Sequence, residues 1–402
     1  MIAFDRSVAK RFHAGTHRCR SAGETVERIL RLAPALGITR VANVTGLDSI
    51  GIPVVTVCRP NARSLSVTQG KGVTLDAARA SGLMESVELF HAERIGLPVR
   101  FASYDELRLR HAVVDVSRLP RPRHSLFHDH LRILWLEAVD LLSERSVWIP
   151  LELVHLDCTR PSPPGSGSFR SSSNGLASGN DRWEATIHAI CEVLERDSLS
   201  RFTALPDAEQ EALRLVLSTI DDPGCRGLLS RYEGAGVPVA VWDMTGPTGV
   251  ASFLCGIAVD SDRSASGSRL YYGMGCHPDR GIALSRALTE AAQARLTMIT
   301  GSRDDAARAM YVLAADADRG ARQRDWFDRG VPRRPYSMVP SWESDDLADD
   351  GRWLLGRLAA GGFDQALAVD LTIPGLDIPV VYVAIPGAAA MGGFESPTSA
   401  VA

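Results

Sequence analysis

The chain has 402 residues, 45% hydrophobic and 23% charged, enough to bury a large core and, at roughly 150 residues each, to make two or three domains. Its net charge is −4, from 48 acidic against 44 basic residues, so no long-range field draws it to nucleic acid or an anionic membrane. No apolar run of about 20 residues is free of charge, which excludes a transmembrane helix, and Met1–Arg20 has scattered charges without the apolar centre of a signal peptide.

The seven cysteines, Cys19, Cys58, Cys158, Cys191, Cys225, Cys255 and Cys276, are odd in number, widely spread and never in a C-x-x-C pair. That spacing argues against a disulfide framework or a structural zinc site and for free thiols in a cytoplasmic protein.

In chain order, residues 38–58 (ITRVANVTGLDSIGIPVVTVC) are rich in β-branched residues and broken by Gly and Asp, which predicts two short strands joined by a turn. SLSVTQGKGVT gives a third strand and a Gly-rich turn at Gly70, Lys71 and Gly72. From Leu75 to Arg94 the pattern becomes helical. Residues 97–155 mix short strands with a loop bearing His124, His128 and His130. The segment RPSPPGSGSFRSSSNG, 160–175, is a Pro/Gly/Ser loop. A helix follows from about Asp181 to Phe202, with more helix through Leu217. Residues 234–276 alternate like strands, 281–300 form another helical run, and the tail after Pro386 is small, apolar and expected to be poorly ordered. This irregular interleaving points to an α/β or α+β fold rather than a doubly wound sheet.

Three of these helices carry the chemistry. On the first, Ser81, Glu85 and Glu88 stand at i, i+4 and i+7 and share a face. On the second, Glu184, Glu192 and Glu195 are spaced eight and three apart, with Arg196 beside them and Asn180 just before the helix, free to cap it or to face a ligand. On the third, Arg286, Glu290 and Gln293 repeat the first helix's spacing. Glutamates so spaced more often form a solvated face. Here the first pair lies among Leu83, Met84, Val87, Leu89 and Phe90, with no Lys or Arg at i+4. Carboxylates clustered in apolar surroundings rise in pKa unless a cation neutralises them, and magnesium, a hard cation, suits oxygen ligands on rigid helices.

Familiar nucleotide motifs are missing. Gln69-Gly70-Lys71-Gly72-Val73-Thr74 lacks the upstream glycine and the hydroxyl residue of a P-loop, Gly273-Met274-Gly275-Cys276-His277-Pro278 starts like G-x-G-x-x-G and fails, and G-x-S-x-G is absent. The histidine trio has no supporting ligand pattern and reads as surface or loop.

Several motifs in order carry a family resemblance. They are THRxxxAxET (16–25), ITRVANVTGLDSIGIPV (38–54), RPNARSLSVTQGKG (59–72), SGLMESVE (81–88), NGLASGN (174–180), CEVLERDS (191–198) and RALTEAAQARLTMITGSRDD (286–305). Together they resemble the YcaO family, and within it the members encoded beside TfuA-like partners, over about 16–387. The resemblance implies a YcaO-type fold as one unit over 1–387, with mixed, mostly antiparallel sheets, packed helices, an ATP site without a P-loop and a disordered 388–402 tail. By motif position it implies that Glu85, Glu88, Glu192 and Glu195 face magnesium. Arg18, Thr25, Ser81, Asn180, Glu184 and Arg196 would touch nucleotide or phosphate, with Arg286, Glu290 and Gln293 flanking the pocket.

The chemistry so implied is ATP- and Mg2+-dependent phosphorylation of a peptide amide oxygen, which makes that oxygen a leaving group. An external sulfide as nucleophile gives a thioamide; a neighbouring Cys, Ser or Thr gives an azoline. Glu88 is followed by Leu89 where the family usually has Arg, so one expected positive charge is absent; the Pro-x-Pro-x-Pro ending of azoline-forming members is absent too, and this, with the likeness to TfuA-associated members, favours a thioamide. The expected partners are a ribosomal precursor peptide or protein, a TfuA-like protein and, as a homodimer, a second copy of the chain. The alternative class is a non-catalytic ATP-binding scaffold.

Overall fold

A computed structural model of the chain describes residues 6–13, 15–259, 269–304 and 316–389. The expected tail lies outside the described residues from 390 on, as does Asp305 at the end of the last motif. The first helix, α1 (Ala22–Leu36), begins at a capping box in which Ser21 and Glu24 satisfy each other's backbone donors, and ends at Gly37 in the left-handed conformation. Strands β1 (Arg40–Asn43), β2 (Val54–Cys58) and β3 (Val67–Lys71) form an antiparallel sheet in that order. Gly70 and Lys71 are thus strand residues rather than the turn their composition suggested.

The reason is contact with α2 (Leu75–Ala92), capped by Thr74. A Cβ on Gly70 would lie 2.0 Å from the Ala78 carbonyl oxygen and 2.1 Å from the Gly82 nitrogen, so only glycine lets strand and helix backbones meet here. Next come β4 (Val99–Ala102), α3 (Tyr104–Arg108), β5 (Ile133–Asp140), β6 (Ser146–Pro150) and β7 (Leu176–Ser178). Residues 160–175 form no helix or strand, as expected from their composition; Glu152 holds them by accepting bonds from the Gly167, Ser168 and Phe169 nitrogens.

Helix α4 (Arg182–Thr203) starts at Asp181, whose side chain accepts from the Trp183 nitrogen. The helix expected through Leu217 is only α5 (Asp207–Ala212). Beyond it, Arg214 and Leu215 bridge to Trp242 and Arg334, long-range pairing that local pattern cannot reveal. Helix α6 (Pro223–Gly234) delays the next strands to β8 (Val239–Asp243), β9 (Ser252–Val259) and β10 (Arg269–Cys276), which form a second antiparallel sheet. Against it lies α7 (Arg280–Thr300), at the same close range as α2 on β3. A Cβ on Gly275 would stand 2.0 Å from the Ala283 carbonyl oxygen, and one on Gly273 2.2 Å from the Ala291 nitrogen. The failed G-x-G-x-x-G is therefore a packing device.

The chain closes with α8 (Ala317–Asp328), α9 (Leu347–Ala360), β11 (Leu367–Asp370) and β12 (Val380–Ala384). The last two strands join the third sheet, order β4-β5-β11-β12-β7 with β6 on β5. All ladders between the described strands are antiparallel. Leu83 and Val87 of α2 share one core with Trp135 and Val380, Ile190 of α4 packs on Val381 and Val383, and Leu284 and Leu288 of α7 pack on Phe253 and Ile257. No helix among the described residues is long and apolar enough to cross a membrane.

Candidate functional site

The three helices singled out by their glutamates converge. Two of those glutamates are anchored to strand backbone by parallel arrangements. Glu85 Oε2 accepts from the Gln69 nitrogen (3.1 Å), beside Gly70, and Glu290 Oε1 accepts from the Met274 nitrogen (3.3 Å), between Gly273 and Gly275. The close strand–helix contacts that glycine permits thus set where these carboxylates stand. Glu88 Oε1 accepts from both the nitrogen and the hydroxyl of Ser178, at 2.8 and 2.7 Å, tying α2 to β7. From α4, Glu195 is 3% exposed, and Glu192 lies 4.0 Å from Arg196.

The electrostatics are those of surplus negative charge. Burial pushes Glu88 up to about 8, with Glu85 and Glu192 adding to the rise and the Ser178 bonds opposing it. Burial, reinforced by Glu195, raises Glu192 to about 7 against the pull of Arg196 and Arg286. Glu195 is also raised, by burial and then by Glu290. Burial would raise Glu290 too, but Lys71, Arg196 and Arg286 outweigh it and hold that carboxyl below its usual range. Arg196 answers in kind: Glu195, Glu192 and Glu290 more than offset its burial. The polar stripes of α2, α4 and α7 thus face one another.

The other sequence-derived residues fall into a second group where the N-terminal segment meets α4. Glu184, 1% exposed, accepts from the Cys19 nitrogen (2.6 Å) and from the nitrogen and Nδ2 of Asn180 (2.9 and 3.3 Å). Arg18 Nε lies 3.9 Å from Glu184, and Thr25 Oγ1 donates to Asn180 Oδ1 at 3.2 Å. Arg18, Glu184 and Arg286 line one small cavity with His188 and His277. Burial, with Arg286 nearby, keeps both imidazoles neutral, well below their usual pKa. Arg286 Nε is buried there with no hydrogen-bond partner among the described residues, a donor facing a cation-lined space. Gln293 is occupied in bridging α7 to β3, donating to the Gln69 carbonyl at 3.0 Å. Ser81 is partly buried, one turn before Glu85.

Sequence reasoning missed Lys71, Gln69, Ser178, His188 and His277. Lys71 pairs with Glu290 across 219 residues, which no local pattern discloses, although its Gly-Lys-Gly setting was visible. The histidine trio takes no part: its members are exposed, and His130 Nδ1 sits 2.9 Å from Asp105. Each of the seven cysteines is free.

The chain is similar to known proteins in sequence and in fold. A family model described as YcaO cyclodehydratase, ATP- and Mg2+-binding, matches residues 69–389. A protein in the tfuA 3' region of Rhizobium leguminosarum bv. trifolii is 37% identical over 359 residues, covering 87% of this chain and 83% of its own. Among solved structures, a heterocyclase in complex with substrate and cofactor superposes with TM-score 0.78 at 22% identity, covering 96% of this chain but only 54% of that one. YcaO from Methanopyrus kandleri, bound with AMPPCP and Mg2+, superposes with TM-score 0.72 at 23% identity over 95% of both chains. These two likenesses are of fold; the family follows from the model match and the Rhizobium relative. The chain belongs to the YcaO family.

Proposed function

We propose that this protein uses ATP and Mg2+ to phosphorylate the backbone amide oxygen of a ribosomally made peptide or protein, and that with a TfuA-like partner it installs a thioamide there. The observation that carries the reading is the facing of Glu85 and Glu88 on α2, Glu192 and Glu195 on α4, and Glu290 on α7, three of them raised in pKa by burial and mutual repulsion. Such a set needs cations. Its all-oxygen donors fit magnesium, which usually takes one or two carboxylates plus substrate phosphates rather than a protein cage. Among the described residues no three His, Cys, Asp or Glu side chains close around one point. Glu85, Glu88, Glu192 and Glu195 would hold the metal, which supplies charge neutralisation on the phosphate oxygens.

The chain's own residues do the rest by placement. Arg286 has a buried donor to spare for an anion, and Arg18 shares its cavity, so both are set to hold phosphate oxygens while the rigid helices fix the approach. Neutral His188 and His277 on the cavity wall are the candidate proton acceptors; ionised, they would repel the arginines. The balance is amide plus hydrosulfide plus ATP giving thioamide, ADP and hydrogen phosphate: a carbon–sulfur bond forms, the carbonyl carbon–oxygen bond breaks, and that oxygen leaves with the phosphoryl group. The Rhizobium relative's position in a tfuA 3' region supports the sulfide version, and a cytoplasmic setting would supply the ATP.

The family's description as cyclodehydratase favours a second reading, azoline formation by a neighbouring Cys, Ser or Thr. Incubation with ATP, Mg2+, sulfide, a TfuA-like protein and a candidate peptide separates the two by mass. Exchange of oxygen for sulfur supports the thioamide, loss of one water supports the azoline, and ATP turnover unchanged in Glu85→Gln and Glu195→Gln would sink both.

A further inference from the structure

The Gly70-Lys71-Gly72 run is not a P-loop, yet it delivers a cation into the carboxylate cluster. Lys71 is the last residue of β3, opposite Val54 in the ladder. Its neighbours leave the backbone no freedom: Gly70 lies against the α2 backbone, and a Cβ on Gly72 would be 2.6 Å from the Ala77 Cβ. The preceding Gln69 is tied on both sides, its nitrogen to Glu85 and its carbonyl oxygen to Gln293. A rigid strand end therefore carries a flexible four-carbon stem ending in a point charge.

The ion pair it makes is asymmetric. Glu290 keeps a second anchor, the Met274 nitrogen, whichever way the lysine turns. Among the described residues the Lys71 ammonium has no hydrogen-bond or ion-pair partner besides Glu290. The pair is not sealed either: the side chains are 15% and 23% exposed. The lysine is thus the member free to move, and solvent, or a ligand, can reach it.

We propose that Lys71 is a nucleotide-binding residue that rests on Glu290 in the ligand-free chain and turns to the polyphosphate of ATP when the site fills. This rests on the reading of the carboxylate cluster as a magnesium–ATP site. A point charge on a flexible stem is a common phosphate binder, and leaving Glu290 costs little once other positive charge has entered the cluster. The bland alternative is that Lys71 is a fixed counter-ion whose only task is to offset Glu290 and Glu195.

The two differ in sign. Titrate the full chain calorimetrically with the β,γ-methylene analogue of ATP at saturating Mg2+, comparing wild type, Lys71→Met and Lys71→Arg, with thermal melts confirming the fold. A phosphate contact predicts that Lys71→Met weakens binding about tenfold or more while Lys71→Arg stays within about threefold of wild type. A fixed counter-ion predicts the reverse, because removing the ammonium makes the cluster more negative and its hold on magnesium firmer; binding by Lys71→Met as tight as wild type, or tighter, overturns the proposal. Should Lys71→Met not fold, Lys71→Gln carries the same comparison. No binding by wild type itself would overturn the parent reading as well, whereas equal binding by wild type and variant overturns this one alone.

Discussion

Glu88→Gln should make the ligand-free protein more stable at pH 8 and leave it unchanged near pH 4.5. Glu88 is raised from its ordinary 4.5 to about 8, first by burial and then by Glu85 and Glu192. A carboxyl whose folded value lies above its unfolded one contributes stability that is complete below pH 4.5 and lost as pH climbs through 8. At about 1.4 kcal/mol for each tenfold in the proton equilibrium, the gap caps the loss at about 5 kcal/mol. Water reaches this partly exposed side chain, so about 2 kcal/mol is the working figure. Glutamine removes the titration while keeping an oxygen to accept from the Ser178 nitrogen and hydroxyl. The assay is urea unfolding in EDTA at several pH values between 4.5 and 8. A variant advantage growing with pH to about 2 kcal/mol supports the reasoning. A pH-independent difference, or a less stable variant at pH 8, refutes it, because Glu88 would then be an ordinary structural acceptor.

Protons and metal compete for the same oxygens, so apparent Mg2+ affinity, measured calorimetrically, should rise about tenfold or more from pH 6 to pH 8 as Glu192 (about 7) and Glu88 (about 8) ionise; a flat profile would contradict the assignment. Gly70→Ala should cost about 3 kcal/mol or more in urea unfolding, since its Cβ meets α2 backbone at 2.0 Å and neither element can yield cheaply; a cost below about 1 kcal/mol would mean β3 and α2 part easily. Far from the cluster, Glu93 holds fully buried Arg59 at 2.7 Å and also accepts from the Ser64 nitrogen and hydroxyl. Glu93→Gln should therefore cost about 3–5 kcal/mol without altering nucleotide affinity in the folded fraction; a matching loss of affinity would tie that pair to the site.

The parts legible in the sequence were those written locally. Helices α2, α4 and α7 announce themselves by 3.6-residue periodicity, and the strands around Val41, Val55 and Thr68 by β-branched runs between turn residues. What sequence could not yield was approach. That the stripes bearing Glu85, Glu195 and Glu290 face one another depends on Gly70 and Gly275 letting helices lie on strand backbone, a tertiary fact that also changes a solvated stripe into a strained cluster. Strands β11 and β12 went unread because they are buried on both faces in the six-stranded sheet, which leaves no alternation to detect. Helix α1 is written locally too, in its Ser21–Glu24 capping box. Lys71 gives no local sign of its pairing, since its partner lies 219 residues on.

The most direct measurement follows the oxygen. A substrate peptide synthesised with 18O in the backbone amide that becomes modified is incubated with the protein, ATP, Mg2+, sulfide and a TfuA-like protein, and the released phosphate is weighed by mass spectrometry. Amide-oxygen phosphorylation requires the label to appear in phosphate in step with modified peptide. Modified peptide accompanied by unlabelled phosphate would contradict it and reduce the carboxylate cluster to an ATPase beside some other chemistry.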